Sequence, residues 1–109
     1  MGDMSIYGTV QEATRNEALA VGITSIVVAQ PKQFLDQPRK VITIRNTSPN
    51  ATDTITLNMG QNPAVASAGI VLKQNETVTD SMDGGYLPWQ GTITGICATA
   101  TGTLAIFER

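Results

Sequence analysis

The sequence predicts an all-β protein: a single antiparallel β-sandwich, or jelly-roll-like barrel, with an N-terminal arm. Three observations predict this fold. Threonine occurs 15 times among the 109 residues, and together with Val and Ile it favours a pleated, half-buried surface. Short runs of alternating apolar and polar residues recur, with turn signals about every eight to twelve residues. No segment carries a long, regular helical periodicity.

The chain is long enough for one domain with its own core. We interpret residues 1–22 as an N-terminal arm or a short helix, because QEATRNEALAV contains helix formers but has only weak apolar periodicity. The sandwich domain is predicted over residues 23–109.

Seven strands are predicted in this domain. Gln74-Asn75 is typical of a tight hairpin connection, and Thr101-Gly102 predicts a second hairpin. The predicted strands are 24–29, 40–46, 54–59, 69–73, 76–82, 92–100 and 103–108.

The apolar positions of these strands predict the core. Gly95 changes the parity between Ile93 and Ile96, which predicts a β-bulge there. The runs TSIVVA and TLAIF are apolar on both faces. Either these strands are central and sandwiched, or the arm or a neighbouring subunit covers their second face. The predicted core consists of Ile42, Ile44, Ile55, Leu57, Ile70, Leu72, Ile93, Ile96, Leu104 and Ile106.

The composition argues against several classes of function. The chain has no histidine and a single cysteine, which removes His/Cys metal sites and every catalytic dyad or triad that needs an imidazole. Its seven Lys and Arg are scattered and its net charge is −2, which argues against neutralising nucleic-acid phosphates. No apolar run approaches the roughly 20 residues of a membrane span. We therefore expect no enzyme activity, no catalytic residue, no cofactor or metal, and no nucleic-acid or membrane partner.

The remaining polar motifs are interpreted as structural. Asp80 and Asp83 lie before two glycines, and paired carboxylates can hold Ca²⁺, but no third acidic ligand is near, so backbone caps are favoured. Cys97 lies within a predicted strand and is interpreted as a buried, unreactive apolar residue. Three asparagines that match the glycosylation acceptor pattern are interpreted as turn markers: Asn46, Asn50 and Asn75.

The segment DGGYLPWQG, residues 83–91, holds the only tryptophan of the chain. It is longer than the about two to five residues of a tight connection. The rings either fold back onto the core or contact another molecule. We predict a division in which Trp89 plugs one end of the sandwich and Tyr86 contacts a partner. The candidate partner-contact residues are Tyr86, Leu87, Trp89 and Phe107.

A recognisable order of motifs runs from Phe34 to Arg109. It comprises an arginine after a proline-containing loop, an aliphatic strand ending in Asn, a Gly-Ile-x-Leu strand and a last strand ending in Glu-Arg. These features fall on Pro38, Arg39, Ile42, Ile44, Asn46, Gly69, Ile70, Leu72, Glu108 and Arg109. In this order of motifs the chain resembles the small β-sandwich structural proteins of bacteriophage virions, which include decoration, vertex or penton, and minor capsid proteins.

The resemblance implies a non-enzymatic virion protein that self-assembles and packs on or within the capsid shell. Its expected partners are copies of itself, as a trimer or pentamer, and the major capsid protein or other virion proteins. The alternative is a receptor- or carbohydrate-binding module of a phage spike or tail, with Trp89 and Tyr86 stacking on a sugar. Low charge and strands apolar on both faces favour the first reading, because symmetric association needs such surfaces.

Overall fold

The computed structural model describes residues 15–32, 38–60, 62–82 and 86–109. Within these ranges the chain forms eight strands in two four-stranded antiparallel sheets, which confirms the all-β fold. None of the described residues forms a helix long and apolar enough to cross a membrane. The strands are β1 Arg15–Val21, β2 Ile26–Ala29, β3 Val41–Asn46, β4 Ile55–Met59, β5 Ile70–Leu72, β6 Thr77–Ser81, β7 Ile93–Cys97 and β8 Gly102–Glu108.

The strand order identifies the sandwich as a jelly roll. Sheet 1 has the order β1-β8-β3-β6, and sheet 2 has the order β2-β7-β4-β5. Among the described strands, only β4 and β5 are both consecutive in the chain and paired in one sheet. Every other connection crosses from one sheet to the other, as in an eight-stranded double-sheet jelly roll.

Both predicted hairpins are wrong. The turn between β5 and β6 is tight, with the Glu76 N–H donating to the Lys73 carbonyl at 3.0 Å, yet β5 and β6 belong to different sheets. The strands β7 and β8 are likewise in different sheets. A turn sequence reverses the chain in either arrangement. The burial of two apolar faces against each other decides which strands pair.

The interpretation of residues 1–22 as an arm or helix is wrong for residues 15–21, which form β1. This strand pairs with β8 over its whole length, from Arg15 opposite Glu108 to Val21 opposite Gly102. Val21 is fully buried, so the sandwich begins before residue 23. Pairing with β8 overrides the weak helix propensity of the segment. Residues 1–14, which complete the predicted arm, lie outside the described residues.

The predicted core is confirmed except at two positions. Ile70 remains 37% exposed on β5, at the edge of sheet 2. Ile96 is half-buried and points outward, because β7 alternates regularly and Gly95 takes the inward position before Cys97. A Cβ on Gly95 would come within 2.8 Å of Val28 Cγ2, so this position needs glycine for close packing. The predicted bulge at Gly95 is therefore wrong.

A bulge does occur on the neighbouring strand β2. The register between β2 and β7 shifts between Val27 and Ala29, which turns both Val28 and Ala29 toward the interior. This bulge accounts for the two-sided apolar pattern of TSIVVA. Cys97 is 2% exposed, so its predicted burial is confirmed.

Candidate functional site

The segment Tyr86–Gly91, here called the end loop, closes one end of the sandwich above the buried side chain of Arg39. Arg39 is 1% exposed. Its Nε lies 2.6 Å from Glu108 Oε2, at the end of β8. Its two terminal nitrogens donate to the carbonyls of Trp89, Gly91 and Gln30. One guanidinium thereby links β8, the end loop and the chain after β2, using the fixed fork of donors that only arginine offers.

The side chain of Gln90 attaches the end loop to the backbone of Arg39. Gln90 Oε1 accepts from the Arg39 N–H at 2.7 Å, and Gln90 Nε2 donates to the Arg39 carbonyl at 2.7 Å and to the Pro88 carbonyl at 2.8 Å. The Gln90 carbonyl accepts from the Lys32 N–H at 2.6 Å. The Gln90 side chain thus bonds both backbone groups of Arg39, as a neighbouring strand would, and fixes the position of the end loop.

Trp89 is held in one orientation at the surface. Its backbone N–H donates to Asp80 Oδ2 at 2.9 Å, and its indole Nε1 donates to the Thr92 carbonyl at 3.0 Å. The ring lies against Gly91, where a Cβ would come within 2.3 Å of it. Trp89 nevertheless remains 40% exposed. The predicted plug is therefore wrong: Arg39 fills this end of the interior, and the indole lies outside it.

Four exposed apolar side chains lie at this end, and we call them the end patch. They are Met82, directly after β6, together with Tyr86, Leu87 and Trp89. Their exposed fractions are 56%, 80%, 50% and 40%. The hydrogen bond between the Trp89 N–H and Asp80 holds the loop against β6, two residues before Met82. The structure therefore brings together three of the four predicted contact residues.

Phe107, the fourth predicted contact residue, lies apart from the end patch. It is half-buried on the outer face of β8, opposite Asn16 on one side and Thr43 on the other. The guanidinium of Arg109 lies 5.8 Å from its ring centroid. Phe107 therefore belongs to the outer face of sheet 1. Its role as a partner contact stays a prediction.

A second polar network closes the opposite end of the sandwich. Asn46 is fully buried and its amide donates to the carbonyls of Asp53 and Leu72, at 2.8 and 2.9 Å. It is the last residue of β3 rather than a turn residue. Its buried, donating amide is closed to glycosylation.

The carboxylate of Asp53 is the charged group of this second network. It accepts hydrogen bonds from the hydroxyls of Thr99 and Thr101 and from the backbone N–H of Asn50. The hydrogen bond from Thr99, and then those from Thr101 and Asn50, hold the pKa of Asp53 below its ordinary value of 3.8, although burial acts in the opposite direction.

The sequence reasoning missed Arg39, Gln90 and Glu108 as a unit. One signal was available. In β8, Leu104, Ile106 and Glu108 share the inward face, so strict alternation places the Glu108 carboxylate in the interior. A buried carboxylate needs a cation or several donors, and this requirement points to an arginine.

A cleft of about 250 Å³ lies between the edges of β1 and β2, and it is lined by Arg15, Val27, Val28, Gln30, Lys32 and Glu108. Its carboxylate, Glu108, is already paired with Arg39. No group of three His, Cys, Asp or Glu in the described part of the chain is placed to hold a metal ion. Asp80 acts as a backbone cap, and Asp83 lies outside the described residues.

Comparison of the chain with models of known protein families, with curated proteins and with solved structures gives no match. Function is therefore inferred from the strand topology, the end patch and the composition of the outer surfaces.

Proposed function

We propose that this chain is a non-enzymatic structural protein of a bacteriophage virion, which assembles with copies of itself and packs on or within the capsid shell. The observation that carries this proposal is the end patch. Met82, Tyr86, Leu87 and Trp89 are large apolar side chains that are exposed at one end of the sandwich. Exposed apolar side chains grouped at one place are typical of a surface that a partner covers.

The rigidity of the end loop supports a role in binding. Arg39 and Gln90 fix the backbone from below, and Gly91 and the Thr92 carbonyl fix the indole. Aromatic side chains that are already ordered lose little conformational entropy when they become buried in a contact. The loop is therefore prepared for association rather than for closing over a substrate.

The outer face of sheet 1 supports the same proposal. The strand registers place twelve residues of β1, β8, β3 and β6 on this face, and Arg45 is the only charged one. Pairs of hydroxyls bridge neighbouring strands, as between Thr43 and Thr79 at 3.2 Å. Such a neutral surface suits packing against a protein layer. The residues are Asn16, Ala18, Ala20, Val41, Thr43, Arg45, Thr77, Thr79, Ser81, Thr103, Ala105 and Phe107.

The proposed partners follow from these two surfaces. Tyr86, the most exposed side chain of the end patch, contacts a neighbouring copy in a trimer or pentamer or contacts the shell. The shell partner is the major capsid protein or another virion protein, and the proposed location is the virion. Eight-stranded jelly rolls occur among viral capsid domains, which is consistent with this assignment.

A receptor- or carbohydrate-binding module of a phage spike or tail is the second candidate. The observation that favours it is the pair of exposed aromatic side chains, Tyr86 and Trp89, on one short loop whose Trp89 N–H donates to the carboxylate of Asp80. Sugar rings stack on aromatic faces and donate hydrogen bonds to carboxylates, and lectin domains also use the jelly roll.

Two measurements test the proposal. Native mass spectrometry gives the number of copies in the assembly of the wild-type chain and of Tyr86→Ala. Virus particles banded from the cells that carry the gene are digested with trypsin and searched for the peptide spanning residues 46–73. We expect a homo-oligomer that Tyr86→Ala weakens, and the peptide in a fixed ratio to the shell protein.

Two controls make the result decisive. Val65→Ala removes an apolar side chain that is 62% exposed on the β4–β5 loop, where the Ser67 N–H donates to Thr56 of β4, and it should leave the assembly unchanged. A glycan array probed with the wild-type chain tests the second candidate. Particles that lack the peptide would overturn the virion proposal, and sugar binding that Tyr86→Ala abolishes would favour the spike module.

A further inference from the structure

The outer edge of β1 carries backbone groups that no strand pairs with among the described residues. Their direction follows from the hydrogen bonds on the other side of β8. Val41 and Arg109 exchange two backbone hydrogen bonds, at 3.0 and 3.1 Å, and the Thr47 N–H donates to the Thr103 carbonyl. The odd-numbered residues of β8 therefore face β3, and the even-numbered residues face β1.

This alternation continues into β1. The even-numbered residues of β8 lie opposite the odd-numbered residues of β1, from Glu108 opposite Arg15 to Gly102 opposite Val21. The N–H and C=O groups of Asn16, Ala18 and Ala20 therefore point away from the sheet. Ala18 is the middle residue of the strand, and all three side chains are exposed.

A two-fold axis through Ala18 would pair all six of these groups. In an antiparallel pairing of β1 with the same strand of a second copy, Asn16 lies opposite Ala20 of the partner subunit, and Ala18 lies opposite its own equivalent. Among the described residues, a shift of the axis to Glu17 or Leu19 leaves part of the row without a partner. The small side chains of Ala18 and Ala20 also allow close approach. The centred register is therefore the one that the backbone favours.

The other edges suit self-pairing less well. The edge strand β2 carries a bulge, and β5 has only three residues. The strand β6 is regular, but the end loop is held against it by the hydrogen bond from the Trp89 N–H to Asp80 Oδ2. In β1 the single carboxylate, Glu17, is already paired with Arg15 at 2.9 Å. Strand β1 also has no Lys and no Pro, the residues that commonly protect an edge.

Exposed apolar side chains border this edge. The Arg15 guanidinium donates to the Val28 carbonyl, which places β2 beside β1 on the same side of the sandwich. Ile23 and Val27 are 66% and 45% exposed there. A second copy seated on β1 would cover apolar surface as well as backbone groups.

We propose that β1 pairs antiparallel with β1 of a second copy of this chain across a two-fold axis at Ala18. The pairing joins the two copies of sheet 1 into one eight-stranded sheet with a continuous outer face. The inference rests on the self-assembly in the proposed function, but it uses a surface other than the end patch. Such a contact uses the same surface on both copies, so it can connect one copy of a trimer or pentamer with one copy of a neighbouring trimer or pentamer.

Cysteine cross-linking tests the register. In a hydrogen-bonded antiparallel pair the opposite Cα atoms lie about 5.5 Å apart, within the about 4.4–6.8 Å that a disulfide spans. The native Cys97 is buried and does not compete. Under mild oxidation, and with a short bis-maleimide, full-length Ala18→Cys is expected to give a covalent dimer. The matched control is Thr79→Cys, the middle residue of the other edge strand of sheet 1, which is expected to stay uncross-linked.

A charge variant provides the second measurement. Ala18→Lys places two ammonium groups opposite each other at the axis, and we expect it to raise the dissociation constant of this contact at least about tenfold and to lower the native mass of the assembly. Thr79→Lys should leave the mass unchanged. A circular-dichroism spectrum like that of the wild type shows that each variant is folded.

The outcomes separate this inference from the proposed function. Absence of a covalent Ala18→Cys dimer, or equal cross-linking of Thr79→Cys, would overturn the β1 pairing even if the wild-type chain is an oligomer. An Ala18→Lys variant that keeps the full native mass would overturn it as well. Particles that lack the 46–73 peptide would overturn the virion proposal and leave the pairing standing.

Discussion

Arg39 Nε lies 2.6 Å from Glu108 Oε2, in an ion pair whose two side chains are 0% and 4% exposed. The two residues are 69 positions apart in the chain, one before β3 and the other at the end of β8. The same guanidinium holds the Trp89 carbonyl. The structure of the exposed end loop therefore depends on a charge pair in the interior.

The first expectation concerns this pair. Arg39→Ala removes the cation and the donors to three carbonyls, and we expect it to lower the free energy of unfolding by about 3–5 kcal/mol. Arg39→Lys keeps the charge but loses the planar fork of donors, so its free energy of unfolding should lie between those of Arg39→Ala and the wild type. Urea unfolding measures both variants. Arg45→Ala, at an exposed position on β3, is the control and should change stability by no more than about 0.5 kcal/mol. Equal losses for Arg39→Ala and Arg45→Ala would contradict the buried pair.

The second expectation compares two isoleucines that the sequence places alike in the core. Ile44 is fully buried, whereas Ile70 is 37% exposed. Ile44→Ala should cost about 2–5 kcal/mol because it leaves a cavity in the core. Ile70→Ala should cost no more than about 1 kcal/mol, since its side chain is already partly in water. Thermal and urea unfolding measure both, and similar costs would place Ile70 in the interior.

The third expectation uses the single tryptophan as a reporter. Gly91→Ala introduces a Cβ within 2.3 Å of the indole of Trp89, so the ring must leave its position. We expect the fluorescence emission to shift to the red as the indole becomes more exposed, and stability to fall by about 1–3 kcal/mol. Gly22→Ala is the control, because a Cβ at Gly22 meets nothing within 4 Å. An unchanged spectrum for Gly91→Ala would show that the ring does not lie against this glycine.

The fourth expectation concerns pH. Hydrogen bonds from Thr99, Thr101 and Asn50 hold the pKa of Asp53 below 3.8 in the folded state. A lowered folded pKa stabilises the fold above the unfolded pKa, and this contribution is lost as the pH falls through the folded value. We therefore expect the free energy of unfolding to decrease on acidification below about pH 4.

Two variants isolate the contribution of Asp53 to this acid dependence. Thr99→Val removes the hydrogen bond that lowers the pKa of Asp53 most, so it should make the acid-induced loss of stability less steep. Asp53→Asn should abolish the part of this loss that comes from the Asp53 carboxylate. Thr52→Val, at an exposed position in the same turn, should behave as the wild type. Unfolding curves between pH 2 and 7 decide the matter, and an unchanged slope in Asp53→Asn would exclude this carboxylate as a source of the acid dependence.

The sequence by itself determined the all-β class, the positions of seven of the strands and most of the core. Alternation is a local property, so the parity of Ile42 and Ile44, or of Leu104 and Ile106, can be read along one strand. The same alternation in β8 places the Glu108 side chain on the inward face. Burial of Cys97 followed from its position within an apolar strand.

The tertiary structure alone decided which strands pair, and so it turned two predicted hairpins into crossings between sheets. It also made residues 15–21 a strand, because their backbone groups pair with the edge of β8. The weak helix propensity of this segment does not compete with that pairing. Arg39 is buried because Glu108 and three carbonyls meet at one point, from segments distant in the chain. That arginine takes the space assigned to Trp89 and leaves the indole at the surface. Local patterns determine whether a side chain points inward or outward, and long-range strand pairing determines which residues it contacts. A buried charge such as Arg39 is stable only beside partners that distant parts of the chain supply.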